Sequence, residues 1–158
     1  MIRKIICISF VFIFLCGCSQ EQKFGVEQFV SRINNQYGTT YKTADFVLGT
    51  DKDNKNYLFY DNYDGFITLS LDSKNNITGV SLLFNESMDT NKAINTFCNI
   101  CCVFTGYDKE TILHTFSDIK ITTETIKFAD NNTVVTVGKY KYTIVCNEYS
   151  ITLFCDRV

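Results

Sequence analysis

The sequence predicts an α+β fold of two successive helix-then-antiparallel-meander modules, with the helices packed on one face of antiparallel sheet. Three observations carry this expectation. Apolar residues recur at helical spacing twice, over 26–37 and 90–105. Each stretch is followed by short runs of alternating apolar and polar residues, separated by turns rich in Asp, Asn and Gly. Finally, the 158 residues are 46% apolar and 15% aromatic with a formal net charge of -2, which suits one packed domain and not a disordered chain.

The chain opens on a leader, residues 1–17. Arg3 and Lys4 precede an uncharged, largely apolar run of eleven residues, Ile5 to Leu15. Such a run has the length of a signal-peptide core and falls short of the roughly 20 residues that span a bilayer as a helix. No A-x-A-like cleavage site follows it. Leu15-Cys16-Gly17-Cys18 closely resembles the lipobox of bacterial lipoproteins. The resemblance implies that the Cys18 thiol is alkylated by a diacylglycerol and becomes the N-terminus after cleavage behind Gly17. A thiol is the nucleophile this transfer needs, and the small Gly17 lets a peptidase reach the scissile bond. Each buried acyl CH₂ contributes roughly 0.8 kcal/mol, so two or more chains, palmitate among them, hold a protein stably. The expected location is therefore the extracytoplasmic face of the cell membrane, with the membrane itself as one partner through the lipid anchor.

Removing 17 residues from 158 leaves 141, and losing Arg3 and Lys4 takes the formal charge from -2 to -4. That balance excludes a nucleic-acid binder, whose phosphate contacts need clustered Lys and Arg. Nor would the domain's own charge draw it onto anionic headgroups. Residues 18–24 form a short polar tether, and 25–158 a single α+β domain with pseudo-repeat halves at 25–85 and 88–158.

In the first half, Val26, Phe29, Val30, Ile33 and Tyr37 share one helix face, and Gly38 is placed to stop that helix. A strand near Phe46–Leu48 comes next, then a polar loop over Gly49–Asn56. Tyr57–Tyr60, Phe66–Asp72 and Ile77–Phe84 follow as strands, with turns at Asp61–Gly65 and Ser73–Asn76. The second half repeats the order. Thr90–Thr105 is apolar nearly all round and predicts a buried helix ended by Gly106. Asp108 and Glu110 cap a shorter helix carrying Ile112, Leu113 and Phe116. Strands are expected at Thr125–Ala129, Thr133–Val137, Lys139–Cys146 and Ser150–Arg157. Tyr140, Tyr142, Ile144 and Cys146, with Ile151, Leu153 and Cys155, alternate so as to line one buried face.

This element order resembles the tandem helix-plus-antiparallel-sheet arrangement of beta-lactamase-inhibitory-protein-like domains. The likeness lies in the order of elements alone.

Five cysteines stay with the domain beyond Cys18: Cys98, Cys101, Cys102, Cys146 and Cys155. An odd number in an exported chain points to disulfides with one thiol left over. Their positions favour small buried core residues instead. Cys146 and Cys155 face one core from adjacent strands but are offset along them. A bridge from Cys98 or Cys101 to Cys146 or Cys155 stays open. No metal or other cofactor is expected, because structural zinc needs two Cys pairs or a Cys pair with a His pair and the only His is His114. Cys98-Asn-Ile-Cys101 lies inside a helix and not at an exposed N-terminus, which argues against redox chemistry.

Asp51-Lys52-Asp53-Asn54-Lys55-Asn56 starts like a calcium loop but has Lys55 where an oxygen ligand is needed. It reads as a polar hairpin turn. No phosphate loop or nucleophile elbow is present, His114 is expected to be a half-exposed helix residue, and no catalytic residue is assigned. The remaining oddity is aromatic: Tyr57, Tyr60 and Tyr63 beside Asn and Asp, candidates for stacking on a sugar or peptide. The expectation is a membrane-anchored envelope lipoprotein, not an enzyme, acting as a binding or interaction module for an unidentified ligand or envelope protein. The alternative is an inhibitor or immunity-type lipoprotein docking a partner protein, and an envelope hydrolase ranks third.

Overall fold

The computed structural model describes residues 24–62, 65–85, 87–118, 132–147 and 149–158. Among these described residues, three α-helices and seven strands follow in the order α1 (Val26–Tyr37), β1 (Val47–Thr50), β2 (Asn56–Asn62), β3 (Gly65–Leu71), β4 (Ile77–Phe84), α2 (Thr90–Thr105), α3 (Lys109–Asp118), β5 (Asn132–Val137), β6 (Tyr140–Cys146) and β7 (Ile151–Arg157). The expected leader, its lipobox, residues 18–23 of the tether and the strand at 125–129 lie outside the described residues; Phe24, expected as the last tether residue, is buried in the core and belongs to the domain.

Both long helices end where their glycines stand. Gly38 and Gly106 take left-handed conformations (φ 66° and 77°), and each donates its N–H to the carbonyl four residues back, Asn34 or Cys102. Asp89 caps α2 by accepting from the Lys92 N–H at 3.1 Å, and Asp108 does the same for α3 through Thr111 at 2.7 Å.

All seven strands pair antiparallel in one sheet of order β1-β2-β3-β4-β7-β6-β5. The two meanders thus meet edge to edge through β4 and β7, and the C-terminal strand sits in the middle. One face is apolar and buried: Ile67, Leu69, Val80, Leu82 and Phe84 continue across the β4–β7 register into Ile151, Leu153 and Cys155, then into Tyr142, Ile144 and Cys146. The alternating residues of the last two strands line that buried face as expected. α2 packs against β4 and against α1 and α3. Phe97 of α2 stacks on Phe116 of α3 at 5.5 Å, and Phe104 meets Tyr140 of β6 edge-on at 5.4 Å. Nine of the sixteen α2 residues are buried, as its apolar circumference requires.

The first strand departs from expectation. Thr43–Asp45 forms a short 3₁₀ turn, Phe46 is buried before the strand begins, and β1 runs on through Gly49 and Thr50. Its sequence contains a glycine because Tyr57, directly opposite on β2, lays its ring where a Cβ at position 49 would sit. The loop therefore shrinks to 51–55. Asp51 Oδ1 accepts from the N–H of Asp53 and of Lys55, both at 2.8 Å, and Asn54 turns left-handed at φ 59°. Between β3 and β4 the same device recurs, with Asp72 Oδ1 accepting from Lys74 and Asn76 and with Asn75 at φ 60°. The calcium-like segment is thus a hairpin turn, and a bulge after Ser70 turns Ile77 into the core.

Candidate functional site

The opposite face of the sheet carries the other half of each strand. Its side chains can be followed strand to strand through the register. One row reads Phe59 (β2), Thr68 (β3), Ser81 (β4), Phe154 (β7); the next reads Tyr57, Ser70, Gly79, Asp156. Each row runs large, small, small, large. Tyr57 leans outward over Gly49, so a trough opens along β3 and β4. It is a cavity of about 420 Å³ with Tyr57 and Phe154 at its sides and Thr68, Ser70 and Ser81 among its floor residues.

Asp156 supplies the trough with a carboxylate. It lies above Gly79, where a Cβ at position 79 would collide with Oδ1. Burial against the sheet pushes its carboxyl above the usual carboxylate range, against the pull of Lys141. A second carboxylate, Asp51, also lines the trough, but its Oδ1 holds two N–H groups of its own turn. Lys55 lines it as well, whereas the guanidinium of Arg157, at its rim, lies on the other face of the sheet over Phe104 and Tyr140.

The three candidate tyrosines do not form one platform. Tyr57 faces the trough. Tyr60, an odd number of positions along the same strand, points to the other face, where its ring meets Tyr41 at 5.3 Å and Phe46 at 5.2 Å. Tyr63 lies outside the described residues, as do Leu15, Cys16, Gly17 and Cys18. Phe154 and Asp156 were not singled out in the sequence. Only the β4–β7 pairing, which joins residues 67 to 77 positions apart, brings them beside the first meander.

All five domain cysteines are free and buried. Cys146 pairs in register with Ile151 and Cys155 with Tyr142, which keeps these two thiols apart as expected. Of the bridges left open, Cys101 of α2 with Cys155 of β7 is the pair the fold brings together, sharing a hydrogen bond; burial pushes the Cys101 thiol well up. Cys98 and Cys102, one helical turn apart, share another. That bond raises Cys98 and, helped by the Tyr37 hydroxyl, lowers Cys102.

His114 is far more exposed than half-buried. Its side chain is 79% accessible, and Nδ1 stands 3.3 Å from Asp118 Oδ2 one turn on. That neighbour is visible in the sequence as an i, i+4 carboxylate. The pair sits on an open helix surface. Among the described residues no group of His, Cys, Asp and Glu is placed to hold a metal ion, and no helix is long and apolar enough to cross a membrane.

The fold and trough together define an α+β protein with one open, mixed aromatic and polar sheet face. Compared with known protein families, curated proteins and solved structures, the chain matches none.

Proposed function

We propose that this chain is a lipid-anchored envelope lipoprotein whose domain is a non-catalytic binding module. The observation that carries the reading is the trough. Its sides are aromatic, its floor carries hydroxyls, and its volume falls in the range of roughly 300–1,000 Å³ that suits small ligands. Asp51 is committed to its turn, so Asp156 has no carboxylate partner ready for acid and base roles. In the same reading, α1, α2 and α3 cover the buried sheet face, and the chain is two helix-then-meander modules fused at β4 and β7. The lipobox resemblance supports diacylglycerol on Cys18, with the domain held on the extracytoplasmic side.

A second reading, an inhibitor or immunity-type protein, is favoured by one observation. Phe66 and Leu83 are direct cross-strand neighbours on the open face and are 41% and 37% exposed. Apolar side chains placed side by side in water suit a protein surface.

Affinity capture from membranes with the intact lipidated protein tests both. Retention of a ligand that is lost in a Tyr57→Ala variant supports the trough. A captured protein lost instead in Phe66→Ala and Leu83→Ala supports the second reading, and no retained species with either sinks both.

A further inference from the structure

Resting on the reading of the domain as a binding module, we infer that the trough takes a saccharide, a neutral glycan whose ring lies between Tyr57 and Phe154 and whose hydroxyls bond to Asp156 and to the floor.

The shape comes first. Neighbouring strands lie about 4.8 Å apart, so the outer members of each four-residue row stand about 14 Å apart at the backbone. Between them the centre of the sheet carries only Thr68, Ser70, Gly79 and Ser81, residues too small to cover it. A flat ring can lie on that floor with an aromatic side chain at either hand.

The chemistry of the floor narrows the ligand. Hydroxyls both donate and accept, as sugar hydroxyls do. Those of Thr68, Ser70 and Ser81 make no hydrogen bond to the described residues. The Asp156 carboxylate likewise accepts none among them, although Lys141 attracts it. A half-buried carboxylate that lacks donors is suited to accept from hydroxyls that a ligand brings. Two acids, Asp51 and Asp156, are matched by two bases, Lys55 at the trough and Lys141 in register with Asp156, so the local charge cancels and favours an uncharged ligand.

An extended peptide fits less well. Peptides that bind sheets add to an unpaired edge, where main-chain bonds supply the affinity. Here the floor is β3 and β4, each paired on both sides, and the edges β1 and β5 lie elsewhere.

Position points the same way. Phe24, the first described residue, accepts from the Ile77 N–H at 3.0 Å, beside the β3–β4 turn. The Tyr57–Asp156 row lies at that end of the sheet. With Cys18 in the bilayer, six residues to Phe24 reach at most about 20 Å, so the trough stands close to the membrane surface. A glycolipid headgroup and an envelope polysaccharide both present their sugars there, and the shared chemistry is the neutral pyranose.

The test uses the full-length lipidated protein in detergent on an array of neutral and charged oligosaccharides and extended peptides. A second arm measures binding to phosphatidylglycerol vesicles with and without a glucosyl-diacylglycerol. We expect neutral oligosaccharides to be retained, and Asp156→Asn and Tyr57→Ala each to weaken them at least tenfold. Leu113→Ala, an exposed α3 position that does not line the trough, should bind as the parent does, and thermal unfolding confirms that each variant is folded. Retention by glycolipid vesicles alone assigns the source to a headgroup; retention of soluble glycans assigns it to polysaccharide. Retention only of peptides, or of a protein, through the same residues overturns the saccharide while leaving a binding module. Binding of glycan indifferent to Asp156 and Tyr57 removes the trough as its site. No retention in any arm overturns both.

Discussion

Asp156 of β7 stands in register with Gly79 of β4, and its carboxylate fills the space a side chain at position 79 would need. Gly79→Ala must therefore push Asp156 aside. Because the displaced atom is the far end of a side chain, the expected cost is about 1 kcal/mol, within the range for overpacked sites. Adding Asp156→Ala to Gly79→Ala should recover most of it. A double-mutant cycle by urea denaturation measures the coupling, and additive effects would show that the two positions do not meet.

Protonation of Asp156 and of Asp108 should move stability in opposite directions. Desolvation raises Asp156, so the native state holds that proton more tightly than the unfolded chain. Its contribution is fully present below the unfolded carboxylate value of about 4 and is lost as pH rises through the higher folded value. Asp156→Asn should thus be more stable than the parent at pH 7, with the gain shrinking under acid. Hydrogen bonds from the Thr111 backbone N–H lower Asp108, so its contribution is present at neutral pH and fades as pH falls through its folded value. Asp108→Ala should lose stability at pH 7 and little at pH 3. Melting curves of both variants from pH 3 to pH 8 check the signs.

The five buried thiols should be silent to an aqueous disulfide reagent in the folded protein and react fully in guanidinium without reductant. Three reactive thiols in guanidinium would instead reveal a bridge, and Cys101 to Cys155 is where peptide mapping should find it.

Phe116 joins α3 to the rest of the core, stacking on Phe97 and meeting Tyr142 edge-on at 6.4 Å. Phe116→Ala should cost about 3–5 kcal/mol, as large-to-small aromatic substitutions in cores do. A chemical-denaturation midpoint unchanged from the parent would contradict this packing.

Cys18→Ser should abolish labelling by palmitate and leave the leader attached. Mass analysis of the membrane-extracted protein reads both, and a labelled, processed Cys18→Ser protein would place the lipid elsewhere.

Much of the fold was legible because its signals are local. Gly38, Gly106 and Asp108 mark helix ends through their own backbone chemistry, and the alternation in 140–146 and 151–157 needs no partner to be read. The pairing of β4 with β7 was not legible, since nothing local marks which meander edge meets which. The candidate site divides along the same line. Tyr57 stood out by composition. Phe154 and Asp156 gain their significance only from that long-range pairing, and Gly49 reads as a loop residue until the ring of Tyr57 is seen above it.

The last strand in sequence occupies the middle of the sheet, hydrogen-bonded on both flanks. The sheet therefore cannot zip shut until β7 is in place, so the two meanders stay unjoined while the chain up to β6 is already complete. For the same reason, deleting β7 would leave two orphaned half-sheets, β1–β4 and β5–β6, rather than one sheet narrowed by a strand.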